Sequence, residues 1–194
     1  MKNKKILSLA LVFTLAAAVM FASPLGVGVT AGGTLSFVDS NVPGDKTPRY
    51  GVTGGIFGTF SLIEIENTMD LSVRPEVLFV MKGYKDSNDN KVNFNTIEVP
   101  ILVKTSILSG LSAAPYVMVG PTVGILLSAD YDKISIDGNI KPFDIGVVFG
   151  AGVETENGLG LDVRFNLGVS NIIDSDYLHM KNRTISIMTS YSLL

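Results

Sequence analysis

The sequence predicts an all-β fold, an eight-stranded antiparallel up-and-down transmembrane β-barrel preceded by a cleavable signal peptide. Three observations predict it. Apolar residues alternate with small, polar or charged residues in eight stretches, the connections between these stretches vary between short and long, and the chain opens with a basic and then apolar segment. Strands with one apolar and one polar face, repeated until the sheet closes, are the β-structure that a bilayer accepts.

The first element has the layout of a secretory signal peptide. Residues 1–5 contain three lysines, residues 6–22 are almost wholly apolar, and small residues follow at Ala22 and Ser23. The apolar run is shorter than the roughly 20 residues that a membrane-spanning helix needs. We therefore expect a signal peptide at 1–22, cleaved near residues 22–24, and a single barrel domain at 23–194.

The eight predicted strands each exceed the 9–11 or so residues that a tilted membrane strand requires. The clearest alternation runs from Leu159 to Val169, where leucine, valine and phenylalanine occupy every other position. The predicted strands are 25–37, 50–65, 69–84, 92–107, 115–129, 142–155, 159–170 and 183–194.

The connections between these strands indicate which end of the barrel faces outward. They are short at 66–68 and 156–158, intermediate at 108–114 and 85–91, and longest at the three remaining positions; we group 85–91 with the long connections because short and long connections then alternate. The long connections are 38–49, 85–91, 130–141 and 171–182. Outer-membrane barrels combine tight periplasmic turns with longer external loops, so we expect both termini in the periplasm. Asn157 and Gly158 form a strong turn signal, since both tolerate positive φ.

Aromatic residues and prolines add two further expectations. Tyr116 and Tyr191 lie near the short-turn ends of their strands, and with the aromatic residues of the other end they favour two interfacial girdles over scattered core aromatics. Other aromatic residues lie near the long-loop ends: Phe37, Tyr50, Tyr84, Phe94, Tyr131 and Phe143. Pro75, Pro100 and Pro121 fall within predicted strands, so each predicts a bulge or a locally broken hydrogen-bond ladder.

Charged residues share the strand face opposite to the apolar one, which places them inside the barrel. An eight-stranded barrel has room only for side chains or one small ligand, so buried charges must pair or be hydrated. The sequence predicts a structural ion-pair network in the lumen, with a narrow conducting path or a small-ligand pocket as the other possibilities. Its members are Arg74, Glu76, Lys82, Glu98, Lys104, Asp144, Glu154, Asp162 and Arg164.

Several short motifs, in this order and spacing, resemble the PorT-like outer-membrane β-barrel family. They are 74–76 (Arg-Pro-Glu), 82–84, 97–104, 115–116, 120–121, 143–146, 150–154 and 162–168. The resemblance covers nearly the whole mature chain and implies an eight-stranded outer-membrane barrel, in a family that mostly lacks an assigned biochemical activity. The chain departs at its end, 191–194, where many such barrels finish in an aromatic residue.

No catalytic, cofactor or metal site is expected. The chain has no cysteine, which removes disulfides and thiolate ligands. A carboxylate pair such as Glu76 and Glu98 needs one protonated member for catalysis, whereas nearby cations keep both ionised. A lipid hydrolase needs a histidine base, and the single histidine, His179, lies in a loop. Residues 86–90 open like a calcium loop, but Lys91 and Ile97 replace the required Gly and Glu.

The sequence therefore predicts a small outer-membrane barrel of structural or interaction type and not an enzyme. Its expected surroundings are outer-membrane lipid, an extracellular or periplasmic protein partner is left open, and the expected state is a monomer. The acidic balance, −3 at pH 7, and the lack of a basic cluster argue against nucleic acid. The alternatives are a narrow pore or small-solute transporter, a lipid-modifying enzyme, and a soluble lipocalin-like carrier, which would turn its apolar face inward.

Overall fold

The computed structural model describes residues 26–40, 47–65, 68–85, 91–107, 112–131, 134–135, 142–170 and 180–193. The expected signal peptide, 1–22, lies outside these residues. In the described part of the chain, no helix has the length and apolar character needed to cross a bilayer.

The described residues form eight long strands and one two-residue strand. The strands are β1 (Gly26–Ser40), β2 (Thr47–Ile65), β3 (Met69–Lys85), β4 (Lys91–Ile107), β5 (Ala113–Tyr131), β6 (Ile134–Ser135), β7 (Phe143–Thr155), β8 (Leu159–Gly168) and β9 (Met180–Ser192). The short strand β6 pairs only with the end of β5.

The eight long strands close into an antiparallel barrel. Each pairs with the long strands before and after it in the chain, and β9 pairs with β1 from Gly28↔Ser192 to Ser40↔Met180. Every long strand therefore has a partner on both sides, which satisfies the backbone without an open sheet edge. The predicted eight-stranded up-and-down barrel is confirmed.

Several strands continue further at the long-loop end than the sequence predicted. Strand β1 reaches Ser40 instead of residue 37, and β9 begins at Met180 instead of residue 183. The ladder between them continues through Asp39↔Lys181. The alternation of apolar and polar residues marks only the part of a strand that faces lipid. Backbone pairing between the strands continues beyond the lipid into water. Strand β8 instead ends at Gly168, before the predicted residue 170. The backbone amide of Ser170 donates a hydrogen bond to the carbonyl of Ile145 on β7.

The three prolines interrupt the ladders without shifting the register. Between β3 and β4, pairing stops at Pro75↔Ile101 and resumes at Leu78↔Glu98 in the same register. Between β4 and β5 it stops at Pro100↔Thr122, opposite the segment that contains Pro121. Proline lacks the N–H but keeps an extended φ, so the ladder breaks while the strand continues. Of the two predicted outcomes, the broken ladder is the one observed.

The turn at Asn157 and Gly158 has the expected backbone. Gly158 has φ of +78° and donates its amide to the carbonyl of Thr155 at 2.9 Å. A non-glycine residue is strained at this φ. This tight turn fixes the pairing of β7 with β8, and so sets which side chains of the two strands enter the lumen.

The apolar face of the strands points outward and the charged face points inward. Along β8, Leu161 and Val163 are each 53% exposed. The alternating residues Asp162 and Arg164 are only 1% and 4% exposed. This arrangement is the inverse of a soluble carrier with an apolar centre. The exposed aliphatic residues cover the outside of the barrel wall as a membrane-embedded barrel requires.

The aromatic residues divide between the two faces. Tyr50, Phe143 and Tyr191 are exposed on the outside, as the girdle interpretation requires. Phe94 and Tyr116 are buried. The prediction of an interfacial position was wrong for Phe94 and Tyr116. Phe94 shares its strand face with the buried Val92, and Tyr116 shares its face with the buried Met118, while Val117 occupies the outward face.

Glycine allows close packing where the lumen is narrow. A Cβ atom at Gly32 would overlap the carbonyl oxygen of Ile187 and the sulfur of Met188, whereas one at Gly33 would meet nothing within 4 Å. Gly32 and Gly33 are adjacent in the sequence, so they lie on opposite faces of β1, Gly32 toward the lumen and Gly33 toward lipid. Glycine is therefore a steric requirement on the lumen side but not on the lipid side.

Candidate functional site: the charged lumen

All nine charged residues considered from the sequence lie on the lumen side of the barrel. Seven are buried: Arg74, Glu76, Lys82, Glu98, Lys104, Asp162 and Arg164. The side chains of Asp144 and Glu154 are 16% and 24% exposed. The nine side chains fall into a central cluster, a periplasmic pair and an outer cluster, taking the short-turn end as periplasmic.

The central cluster joins opposite walls of the barrel. On β3, Arg74 Nε donates to Glu76 Oε1 at 2.7 Å, and on β8, Arg164 Nε donates to Asp162 Oδ1 at 2.6 Å. Each pair is two residues apart on one strand and so shares a face. Arg164 Nη1 then crosses the lumen to Glu76 Oε2 at 2.5 Å. Strands β3 and β8 are not neighbours, so this ion pair spans the lumen between opposite walls.

Two aromatic residues support the central cluster. The ring of Phe57 lies under the Arg74 guanidinium, with its centroid 3.6 Å from the central carbon. The hydroxyl of Tyr116 donates to Asp162 Oδ2 at 2.8 Å. Neither residue was predicted to lie in the lumen, although Tyr116 shares its strand parity with Met118, which is buried.

The periplasmic pair consists of Lys104 and Glu154. Lys104 Nζ forms an ion pair with Glu154 and lies 4.4 Å from the centroid of the Tyr116 ring. Tyr116 therefore contacts both this pair and the central cluster. The two groups form one continuous polar column toward the short-turn end.

The outer cluster is built around Lys82. This lysine forms an ion pair with Glu98, and its Nζ lies 4.0 Å from Asp144 Oδ2. Glu98 also accepts a hydrogen bond from Asn166 Nδ2 at 3.0 Å. Asp144 accepts hydrogen bonds from two uncharged residues, Asn182 at 3.2 Å and Ser170 at 2.6 Å. These donors carry no charge, so the pattern of charged residues in the sequence did not predict them.

A small cavity of about 30 Å³ lies between the outer and central clusters. Its lining includes Lys82 and Glu98 from the outer cluster, Arg164 from the central one, and Thr53. Thr53 Oγ1 is buried and has no hydrogen-bond partner among the described residues. A cavity of this size, lined by both polar and apolar residues, has room for one or two water molecules.

The carboxylates of the lumen are already hydrogen bonded. Both oxygens of Glu76 accept from guanidinium groups, and Glu98 accepts from Lys82 and Asn166. Glu76 and Glu98, the pair considered for acid–base chemistry, thus contact different cations. His179 and the loop 86–90 lie outside the described residues.

Comparison with known proteins agrees with this architecture. The family model described as outer membrane protein beta-barrel domain matches residues 17–174. Because the model spans most of the chain, it establishes an outer-membrane barrel family; the narrower PorT-like name is not confirmed by it. A search of curated proteins gave no match.

Solved structures of outer-membrane barrels have a similar fold. The outer membrane enzyme PagL superposes with a TM-score of 0.54 at 12% identity, covering 85% of this chain and 98% of PagL. Neisserial surface protein A has a TM-score of 0.53 at 13% identity, and the match covers 85% of this chain and 96% of that protein. OprG from Pseudomonas aeruginosa has a TM-score of 0.50 at 11% identity, and the match covers 88% of this chain and 97% of OprG. At these identities the likeness concerns the fold alone.

The closed eight-stranded barrel, the outward aliphatic face and the family match lead to one assignment. The chain is an outer-membrane protein and belongs to the outer membrane protein beta-barrel domain family.

Proposed function

We propose that the protein is a non-enzymatic barrel of structural or interaction type, with a lumen sealed by its own side chains. The observation that carries this proposal is the ion pair between Arg164 of β8 and Glu76 of β3, which crosses the centre of the lumen. Contacts with other molecules are then left to the external loops. Closure of the barrel within one chain supports a monomer surrounded by outer-membrane lipid.

The central cluster opposes the passage of ions and solutes. Its side chains are at most 5% exposed, and the adjoining cavity of about 30 Å³ is too small for a hydrated ion. An ion would have to separate Arg164 from Glu76 or Asp162. Removing one partner of a buried pair leaves a buried charge, which costs about 3–5 kcal/mol.

The same hydrogen bonds support a non-enzymatic role. A general acid or base needs an oxygen that can reach the substrate, within about 3 Å or through one water. In the central cluster, Glu76 and Asp162 direct their oxygens at Arg74, Arg164 and Tyr116. The likeness to the enzyme PagL is a likeness of fold and carries no activity to this chain.

A narrow pore is the second candidate, and the cavity beside Thr53 and Lys82 favours it. Water in that cavity would extend the hydrated part of the lumen from the outer cluster to Arg164. Conduction then depends only on whether the central cluster opens.

Bilayer conductance separates the two candidates. We expect the wild-type barrel to give no current steps, because the Arg164–Glu76 pair closes the lumen. Replacing Asp162 and Arg164 together with alanine removes one cation and one anion, and we expect it to produce steps. A matched variant, Glu64→Gln, changes an exposed residue and should stay silent. Wild-type steps that the double substitution abolishes would contradict the sealed lumen and establish the pore.

A further inference from the structure

The central cluster is built from two ion pairs, each of which lies on one wall of the barrel. On β3, Arg74 Nε donates to Glu76 Oε1 at 2.7 Å. On β8, Arg164 donates to Asp162 from Nε at 2.6 Å and from Nη2 at 3.3 Å. The cation and the carboxylate of each pair are two residues apart on one strand and share its inward face. Each ion pair is therefore neutral and complete without the opposite wall.

The ion pair on β3 has an aromatic anchor on the neighbouring strand. Phe57 of β2 is the register partner of Glu76, and its ring centroid lies 3.6 Å from the central carbon of the Arg74 guanidinium. This cation–π contact holds the arginine against its own wall. Gly28 of β1 leaves room for the ring, because a Cβ atom at that position would lie 2.3 Å from it. We call Phe57, Arg74 and Glu76 the β3 half.

The ion pair on β8 has a different anchor. Tyr116 of β5 donates to Asp162 Oδ2 at 2.8 Å, across the intervening strand β7. Gly152 of β7 is the register partner of both residues, and it places no side chain between them. The tyrosine hydroxyl thus holds Asp162, and through it Arg164, on this wall. We call Tyr116, Asp162 and Arg164 the β8 half.

One hydrogen-bonded ion pair joins the two halves within the part of the chain that the structure describes. It runs from Arg164 Nη1 to Glu76 Oε2 at 2.5 Å. When this bond breaks, Glu76 keeps Arg74 and Arg164 keeps Asp162, so no charge loses its last partner. Most of the penalty for opening a buried ion pair comes from leaving a charge uncompensated. Separating the two halves avoids that part of the penalty.

The cavity beside Arg164 favours the same separation. Its volume is about 30 Å³, and its lining includes Arg164, Lys82 and Asn166. One or two water molecules fit in such a space. The N–H group that Arg164 withdraws from Glu76 can donate to water there, so it need not stay without an acceptor.

We propose that the bond between Arg164 and Glu76 is a latch. The lumen opens when this one bond breaks and closes when it forms again, while the β3 half and the β8 half stay in place on their walls. An eight-stranded barrel opened in this way is wide enough only for water and small ions. The inference rests on the proposed sealed lumen and adds how the seal opens.

The experiment records currents across planar bilayers in potassium chloride for two variants that weaken only the latch. Glu76→Asp keeps a carboxylate beside Arg74 but withdraws it from β8 by one methylene. Arg164→Lys keeps a cation beside Asp162 but replaces the planar fork of donors, which reaches both walls, with a single ammonium group. We expect the wild type to be silent and both variants to give current steps.

The matched controls make the same chemical changes outside the central cluster. Glu64→Asp shortens an exposed carboxylate, and Arg49→Lys changes an arginine that donates to the carbonyl of Val92. Both control variants should stay silent. Current steps from the controls as large and frequent as those from the latch variants would overturn the proposal.

The urea midpoint in vesicles separates opening from misfolding. Glu76→Asp and Arg164→Lys should keep most of the wild-type midpoint, because each half retains its ion pair, whereas Glu76→Gln should lower it strongly. Folded latch variants that stay silent would overturn the latch and leave the sealed lumen standing. Midpoints as low as that of Glu76→Gln would overturn it too, since the halves would then depend on each other. Steps in the wild type would instead overturn the sealed lumen itself.

Discussion

Replacing Glu76 with glutamine is expected to lower the free energy of unfolding by about 3–5 kcal/mol, the cost of removing one partner from a buried ion pair. Glu76 receives Arg74 on one oxygen and Arg164 on the other, and its side chain is fully buried. Glutamine keeps the shape but removes the carboxylate that pairs with Arg74 and leaves Arg164 paired with Asp162. Urea unfolding of the refolded barrel in vesicles, followed by gel mobility, measures the change.

Two further variants make this result specific. Glu64→Gln changes an exposed residue near the short-turn end of β2 and should shift stability by less than about 0.5 kcal/mol. Combining Glu76→Gln with Arg74→Gln removes one excess cation and should recover part of the loss. If Glu76→Gln alone matched the wild type, the central cluster would not hold the barrel together.

Replacing Val163 with arginine is expected to destabilise the folded barrel in vesicles by about 2–4 kcal/mol, as arginine does at the midplane of a lipid-facing strand. Val163 is 53% exposed and lies between Leu161 and Phe165 on the outward face of β8. Its exposure is to hydrocarbon, so an arginine there must bring its charge into lipid or reach toward an interface. The refolding yield and the urea midpoint in vesicles measure the effect.

The turn after β7 supplies the matched control for this substitution. Glu156→Arg introduces the same residue at an exposed position outside the wall and should leave the urea midpoint nearly unchanged. Val163→Leu keeps the apolar character and should do the same. A neutral Val163→Arg variant would indicate that this face meets water, as in a soluble carrier.

The sequence was sufficient to predict the strands and their faces because a membrane imposes the alternation directly. Leu159 to Val169 shows this, since lipid requires an apolar residue at each outward position. The strand ends were harder to predict. Pairing between Asp39 and Lys181 lies beyond the alternating part and depends on the partner strand, which the local pattern does not report.

The contacts within the lumen were less predictable than the faces. Parity identified Arg74 and Arg164 as inward residues, but not that Arg164 reaches Glu76 on a strand across the barrel. That contact depends on how the register staggers around the closed sheet. Tyr116 was misplaced because its closeness to a strand end outweighed its parity. The donors to the outer cluster, Asn166, Ser170 and Asn182, are uncharged, so a pattern of charged residues does not predict them.

The central claim is that the aliphatic face of the barrel contacts lipid and the ionic face lines the lumen. The chain contains no tryptophan, so a single introduced tryptophan reports one position. The direct measurement is quenching of tryptophan fluorescence by brominated acyl chains for Val163→Trp and, on the lumen side, Phe57→Trp. We predict strong quenching at Val163 and weak quenching at Phe57; the reverse order would contradict the assignment of faces.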